Sequence, residues 1–248
     1  MLSRNRTKIG RVVSYILHIS SRIHQVVVRW SAVALALVGR PWRRALKQHR
    51  RRQAYRKLKQ LGLIDAFSGY PADAIAPKYH ELYGLYRLVK KRKPAVLVEL
   101  GGGYSTFAFA QACHDLAAKQ GHRVQFYSVD QSDYWQQVVK ERMPPKLSPF
   151  VNFYRATPRL IEIHGTVVSA FDSLPAKYVN LIFVDGGTVP GNRIGVDALQ
   201  LEKSAPADYA ILVDGRKETV VFLREHLTRQ YRIGPGLGGT QTLFQPAS

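Results

Sequence analysis

The segment AVLVELGGGYST, Ala95 to Thr106, constrains this chain's fold more than any other. Four apolar residues, Ala95 to Val98, run up to a carboxylate, Glu99. Leu100 follows, then three glycines, Gly101, Gly102 and Gly103. Tyr104, Ser105 and Thr106 open FAFAQACHDLAAK, which reads as a helix. A buried strand, a glycine turn and a helix N-terminus together make a ligand cradle. Glycine has no Cβ, so the backbone can turn tightly and approach a ligand closely. The helix start offers unpaired N–H groups to a polar or anionic group.

The dinucleotide fingerprint would be G-x-G-x-x-G. Thr106 stands in its third place, which argues against an NAD-binding oxidoreductase and leaves it as the alternative enzyme. The order present is E-x-G-x-G-x-S-T, an acid two residues before the first glycine. It resembles motif I of the class I methyltransferases that use S-adenosylmethionine (SAM). The resemblance implies that the loop passes under the amino-acid end of SAM, and that the acid fixes either the loop or the SAM ammonium. Glu99, Gly101 and Gly103 match those positions. Gly102, Ser105 and Thr106 complete the cofactor-binding set that it implies.

Three more buried strands should follow. Arg123 to Val129, RVQFYSV, is aromatic and β-branched and ends in Asp130. An acid is expected there, about 20 residues past the loop, to grip a ribose. Asp133 is the rival, and could equally cap the helix DYWQQVVKERM. YVNLIFVDGG, Tyr178 to Gly187, reads as a central parallel strand ending in Asp185. DYAILVDGR, Asp208 to Arg216, reads as another ending in Asp214. Ligands in open α/β sheets bind at the carboxyl ends of strands, so the four acids should share one sheet edge. QYRIGPGLGGTQTLF, Gln230 to Phe244, is similar to the antiparallel hairpin that closes the methyltransferase sheet. The resemblance covers Pro94 to Phe244. It implies an α/β, Rossmann-like, seven-stranded and mostly parallel sheet with helices on both faces.

Apolar residues make up 46% of the 248, enough for a core. The lone cysteine, Cys113, falls inside the first helix after the loop and reads as a small buried residue. No Cys/His cluster has zinc spacing. Cation-dependent O-methyltransferases carry an amide residue after the last strand acid. Here Gly215 follows Asp214, so no metal is assigned.

The net charge of +20 is uneven. Residues 1–64 hold 16 Lys and Arg and no acid, leaving 21 basic against 17 acidic residues in the remainder. Val12 to Val38 is mostly apolar but broken by Arg22, His24 and Arg29, and is too short of continuous apolar residues to span a bilayer. Arg40 to Lys59 is basic, with Trp42 and Tyr55 interleaved. This suits an in-plane anchor on an anionic membrane surface through residues 12–59. RNA contact, an organellar transit peptide and a solvated helix packed on its own domain are the competing readings. The division expected is a basic helical extension, 1–64, a linker with one entry helix, 65–93, and a methyltransferase-like domain, 94–248. On the entry helix, Leu82, Leu85, Tyr86 and Val89 share a face. The Pro-rich stretch Met143 to Pro149 is a loop and a candidate lid.

The activity implied is methyl transfer from SAM to a small-molecule or glycan acceptor at oxygen. Asp185 is the candidate base or acceptor-positioning group, ahead of Asp214 and Arg193. His164 reads as structural. The expected location is cytoplasmic, peripheral on the inner face of a membrane. The rival outside enzymes is a non-catalytic membrane- or RNA-binding adaptor on the same fold.

Overall fold

The computed structural model describes residues 45–72, 74–237 and 240–247. Most of the expected membrane-binding stretch therefore lies outside the described residues. The chain divides into two units, Met1–Arg52 and Gln53–Ser248. In the first, the described residues 45–52 are helical and exposed. The second begins within the same helix (α1, described over 45–60). Ala54 and Leu58, four apart, are buried, as is Leu63 on the one-turn helix α2 (Leu63–Ala66). Residues 53–64, read from their charge as the end of the extension, thus carry core positions of the second unit. No helix among the described residues is long and apolar enough to cross a membrane.

The main sheet has the order β3-β2-β1-β6-β7-β9-β8. Its strands are β1 (Val96–Leu100), β2 (Gln125–Asp130), β3 (Asn152–Arg155), β6 (Leu181–Val184), β7 (Ala210–Asp214), β8 (Tyr231–Pro235) and β9 (Gln241–Pro246). The first five pair in parallel. β9 runs antiparallel between β7 and β8. The sequence-based expectation of seven strands closed by an antiparallel hairpin holds. Between β3 and β6 an additional hairpin, β4 (Pro158–Ile163) with β5 (Thr166–Phe171), forms its own two-stranded sheet.

The period of two along each strand sorts side chains onto two faces. Leu97, Phe126, Phe183, Leu212 and Leu243 meet helices α3 (Tyr79–Arg92) and α4 (Tyr104–Gln120). Val98, Leu100, Ile182, Val184, Ile211 and Val213 meet Ala198 and Leu201 of α6 (Asp197–Glu202) and Leu223 of α7 (Lys217–His226). Both faces being covered explains why these strands read as continuous apolar runs. α4 ends where Gly121 takes φ +65, a conformation that glycine adopts without Cβ strain.

Local expectations have mixed outcomes. On α3, Leu82, Leu85 and Val89 face the core as expected and Leu88 joins them, while half-buried Tyr86 packs against the same core and donates its hydroxyl to Asp115 of α4 at 2.7 Å. The helix α5 (Asp133–Arg142) is capped by Ser132, whose hydroxyl accepts from the Trp135 N–H at 3.2 Å, and not by Asp133. Asp133 instead meets Arg155 at 2.9 Å. The Met143 to Pro149 loop buries Met143 and Leu147 in the core, and none of its residues lines the cleft at the glycine loop. His164 turns the β4–β5 hairpin with φ +49 and stacks on His226, which fits its structural reading.

Candidate active site

The glycine loop is fixed from below. Glu99 is fully buried and its Oε2 accepts from the hydroxyls of Thr106 at 2.7 Å and Ser128 at 2.9 Å. Thr106 Oγ1 in turn accepts from the Gly103 N–H at 3.1 Å. Thr106 therefore ties the loop to the strand acid, and its hydroxyl points beneath the loop. Glu99 Oε1 has no hydrogen-bond partner. Burial pushes the Glu99 carboxyl up to about 8, against the pull of the Ser105, Thr106 and Ser128 hydroxyls.

Asp130 holds the loop from the side. Its Oδ2 accepts from the Gly102 N–H at 2.8 Å and its Oδ1 from the Ser132 N–H at 2.7 Å. Burial raises this carboxyl, while the backbone N–H groups of Ser132 and Gly102 oppose the rise. Gly101, at φ +92, packs its backbone against Gly186. A Cβ at Gly103 would meet nothing within 4 Å, so this side of the loop is open space.

That space belongs to a cleft of about 460 Å³, within the range of small-molecule sites. Gly102, Gly103, Tyr104 and Ser105 form one wall, and Trp135 of α5 stands beside them. The entry segment contributes Tyr70, Lys78 and Glu81 to the lining. Arg142 anchors this cover by donating to the Gly69 carbonyl through Nε at 3.1 Å and Nη2 at 2.6 Å. Tyr70 stacks on Tyr104 with centroids 4.1 Å apart.

Asp185 and Asp214 close the far end at the tips of β6 and β7. Asp185 opens onto the cleft and is exposed there. Desolvation and then Asp214 push its carboxyl up to about 7, with Arg216 and Lys78 pulling the other way. Arg216 also donates to the Asp185 carbonyl and so pins the strand tip. Burial alone would lower Lys78. Its 3.2 Å contact with Glu81, together with Asp214 and Asp185, raises it instead.

The sheet edge thus gathers the acids as their strand-end positions foretold. Gly102, Gly103, Ser105 and Asp185 line the cleft; Glu99, Gly101, Thr106 and Asp130 support its loop. Arg193 does not join them: it is exposed and faces Glu218 at 3.5 Å. Lys78, Glu81, Tyr70, Arg216 and Gln241 escaped the sequence reading. Gln241 alone left a signal there, as a polar residue entering a buried strand. Among the described residues no group of three or more His, Cys, Asp or Glu side chains could hold a metal ion.

The cleft suits SAM on its own geometry. The loop leaves room on its open side, and the first turn of α4 presents N–H groups suited to a polar or anionic end.

A family model described as a methyltransferase domain matches residues 98–213. No curated protein matches. Among solved structures, a methyltransferase from Podospora anserina bound to S-adenosylhomocysteine (SAH) aligns at 15% identity and TM-score 0.50. That alignment covers 77% of this chain and 88% of that one. A putative O-methyltransferase from Klebsiella pneumoniae aligns at 15% identity and TM-score 0.48, covering 82% and 100%. The SAH-bound O-methyltransferase of Bacillus cereus aligns at 13% and 0.45, covering 77% and 90%. The matched segment carries the glycine loop and, with the strand order 3-2-1-6-7-9-8 around it, gives this chain a methyltransferase-type α/β domain.

Proposed function

We propose that this domain methylates an oxygen of a small-molecule or glycan acceptor, with Asp185 as the base. The observation that carries the reading is geometric: the strand-end carboxylate Asp185 lines the same cleft as the glycine loop, with desolvation and then Asp214 raising its carboxyl to about 7. SAM, when bound, supplies a methyl group already activated by its sulfonium. The protein then has two tasks. It must hold the acceptor in line, which alone can supply several kcal/mol of the barrier. It must also take the hydroxyl proton, and a base is most effective with a pKa near the working pH.

In this reading Gly102, Gly103 and Ser105 receive the amino-acid end of the cofactor. Glu99, Gly101 and Thr106 keep the loop in shape, and Asp130 is the ribose acid. Trp135 lies on the wall where an adenine would rest.

The extension is part of the same proposal. Its 16 basic residues without an acid over 1–64 would hold the enzyme on an anionic membrane, peripherally on the cytoplasmic face. Calorimetric titration with SAH, with NAD⁺ and NADH as controls, tests the core of the reading. Micromolar SAH binding that weakens in Asp130→Ala is expected. Preference for the nicotinamide cofactor would overturn it.

A further inference from the structure

Gln241 opens β9 as the register partner of Asp214. Its side chain is 3% exposed and lines the cleft, yet neither Oε1 nor Nε2 has a hydrogen-bond partner. A buried polar group left unsatisfied costs roughly 1–3 kcal/mol, and native interiors seldom carry one without a reason. Here both ends of one amide are bare. The cleft lining also includes Leu82, Leu85 and Phe183, whose side chains offer no polar atom. The charged groups at this end are Glu81, Asp185 and Asp214 against Lys78 and the Arg216 guanidinium behind Asp185.

We infer that Gln241 is a specificity-determining residue that binds the methyl acceptor, and that the acceptor is a neutral saccharide presenting adjacent hydroxyls. This rests on the methyl-transfer reading of the same cleft. An amide with both ends open is satisfied by a ligand that donates and accepts. An ammonium group only donates, and a phosphate or carboxylate only accepts and would face two aspartates. Hydroxyls do both. One hydroxyl donates to Oε1 while its neighbour accepts from Nε2. The Asp214 carboxylate, which takes the Thr240 hydroxyl at 3.0 Å, keeps lone pairs for a further hydroxyl. Lys78 lines the same cleft and supplies donors.

The test uses the full chain saturated with SAH. Saturation-transfer NMR is recorded with methyl hexopyranosides, and with glucuronate, catechol and phenethylamine as comparators. Gln241→Leu is run beside the wild type, with its melting temperature and SAH affinity measured. Hexopyranoside signals in the wild type, reduced at least tenfold in the variant, are expected. The variant should bind SAH as the wild type does and melt at the same temperature or higher, because an unsatisfied amide has been removed. Hexopyranoside signals that persist in Gln241→Leu would overturn the assignment. So would stronger binding of any comparator, or a variant that melts lower or fails to fold, since the amide would then be structural. SAH binding without hexopyranoside binding sinks this inference alone. Loss of SAH binding in the wild type sinks the methyl-transfer reading beneath it.

Discussion

Gly101 and Gly186 pass each other backbone to backbone. A Cβ on Gly101 would lie 2.8 Å from the Gly186 Cα, and one on Gly186 would lie 2.6 Å from the Gly101 Cα. The tips of β1 and β6 can stand side by side only because both residues lack side chains. That contact places the cofactor loop next to Asp185.

Gly186→Ala should therefore push the glycine loop away from the β6 tip. The clash is with backbone, which cannot rotate aside, and overpacking of this kind costs roughly 1–3 kcal/mol. The expected result is a lower urea midpoint and at least a tenfold loss of SAH affinity. Gly103→Ala, whose Cβ meets nothing within 4 Å in the protein, should leave the midpoint nearly unchanged while weakening SAH. Parallel denaturation and calorimetry on the two variants would separate a structural glycine from a ligand-facing one.

Glu99 makes stability depend on pH in an unusual direction. Its carboxyl titrates at about 8 in the fold against an ordinary 4.5. The folded state therefore holds a proton that the unfolded chain has released over the range between. Its contribution is present in full at low pH and lost as pH rises through about 8. The ligand-free protein should lose stability from about pH 5 to 8, at up to roughly 1.4 kcal/mol per pH unit from this residue. Glu99→Gln should flatten the slope in urea unfolding followed across that window. An unchanged slope would show that another group carries it.

Much of this was legible in the chain, for a physical reason. Strands buried on both faces announce themselves as unbroken apolar runs. An acid at the end of such a run, as at Glu99, Asp130, Asp185 and Asp214, has only the sheet edge to occupy. Thr106 reads in the sequence as a replaced third glycine and as one of the cofactor-binding set, while the link its hydroxyl makes from Gly103 to Glu99 needs the fold to be seen. What stayed hidden depends on tertiary approach. Lys78 and Glu81 sit in an entry segment whose relation to Asp185 no local pattern encodes. Gln241 is visible as a polar residue in a strand, but its bare amide appears only once its neighbours are placed. The hairpin around His164 stands apart from the main sheet, a pairing that no local pattern encodes.

Asp185 should control the rate and not cofactor binding. As the base it must be unprotonated, so turnover should rise with pH through about 7 and level above it. Removing a general base commonly costs 10²- to 10⁴-fold. Asp185→Asn is expected to lose roughly that much in kcat, to lose the pH dependence, and to keep SAH affinity within a few-fold. A pH–rate profile of SAH release on an acceptor that supports turnover would decide it. A variant with near-normal kcat would remove Asp185 from the chemistry and leave it a positioning role.

The basic extension should bind lipid by charge and in proportion to it. Arg50, Arg51 and Arg52 are exposed on α1 and have no acidic neighbour in sequence until Asp65. Each basic group near an anionic surface contributes about 1 kcal/mol, and that attraction fades within a Debye length. Replacing all three by Gln should thus lower the affinity for phosphatidylserine-containing vesicles on the order of a hundredfold. SAH binding, which involves none of them, should not move. Raising the salt should weaken the wild type toward the variant, and neutral phosphatidylcholine vesicles should bind neither. Co-sedimentation across a salt series measures all three. Vesicle binding that survives both the substitutions and high salt would instead point to insertion of the apolar stretch. Retention on single-stranded RNA but not on vesicles would reassign the extension to nucleic acid.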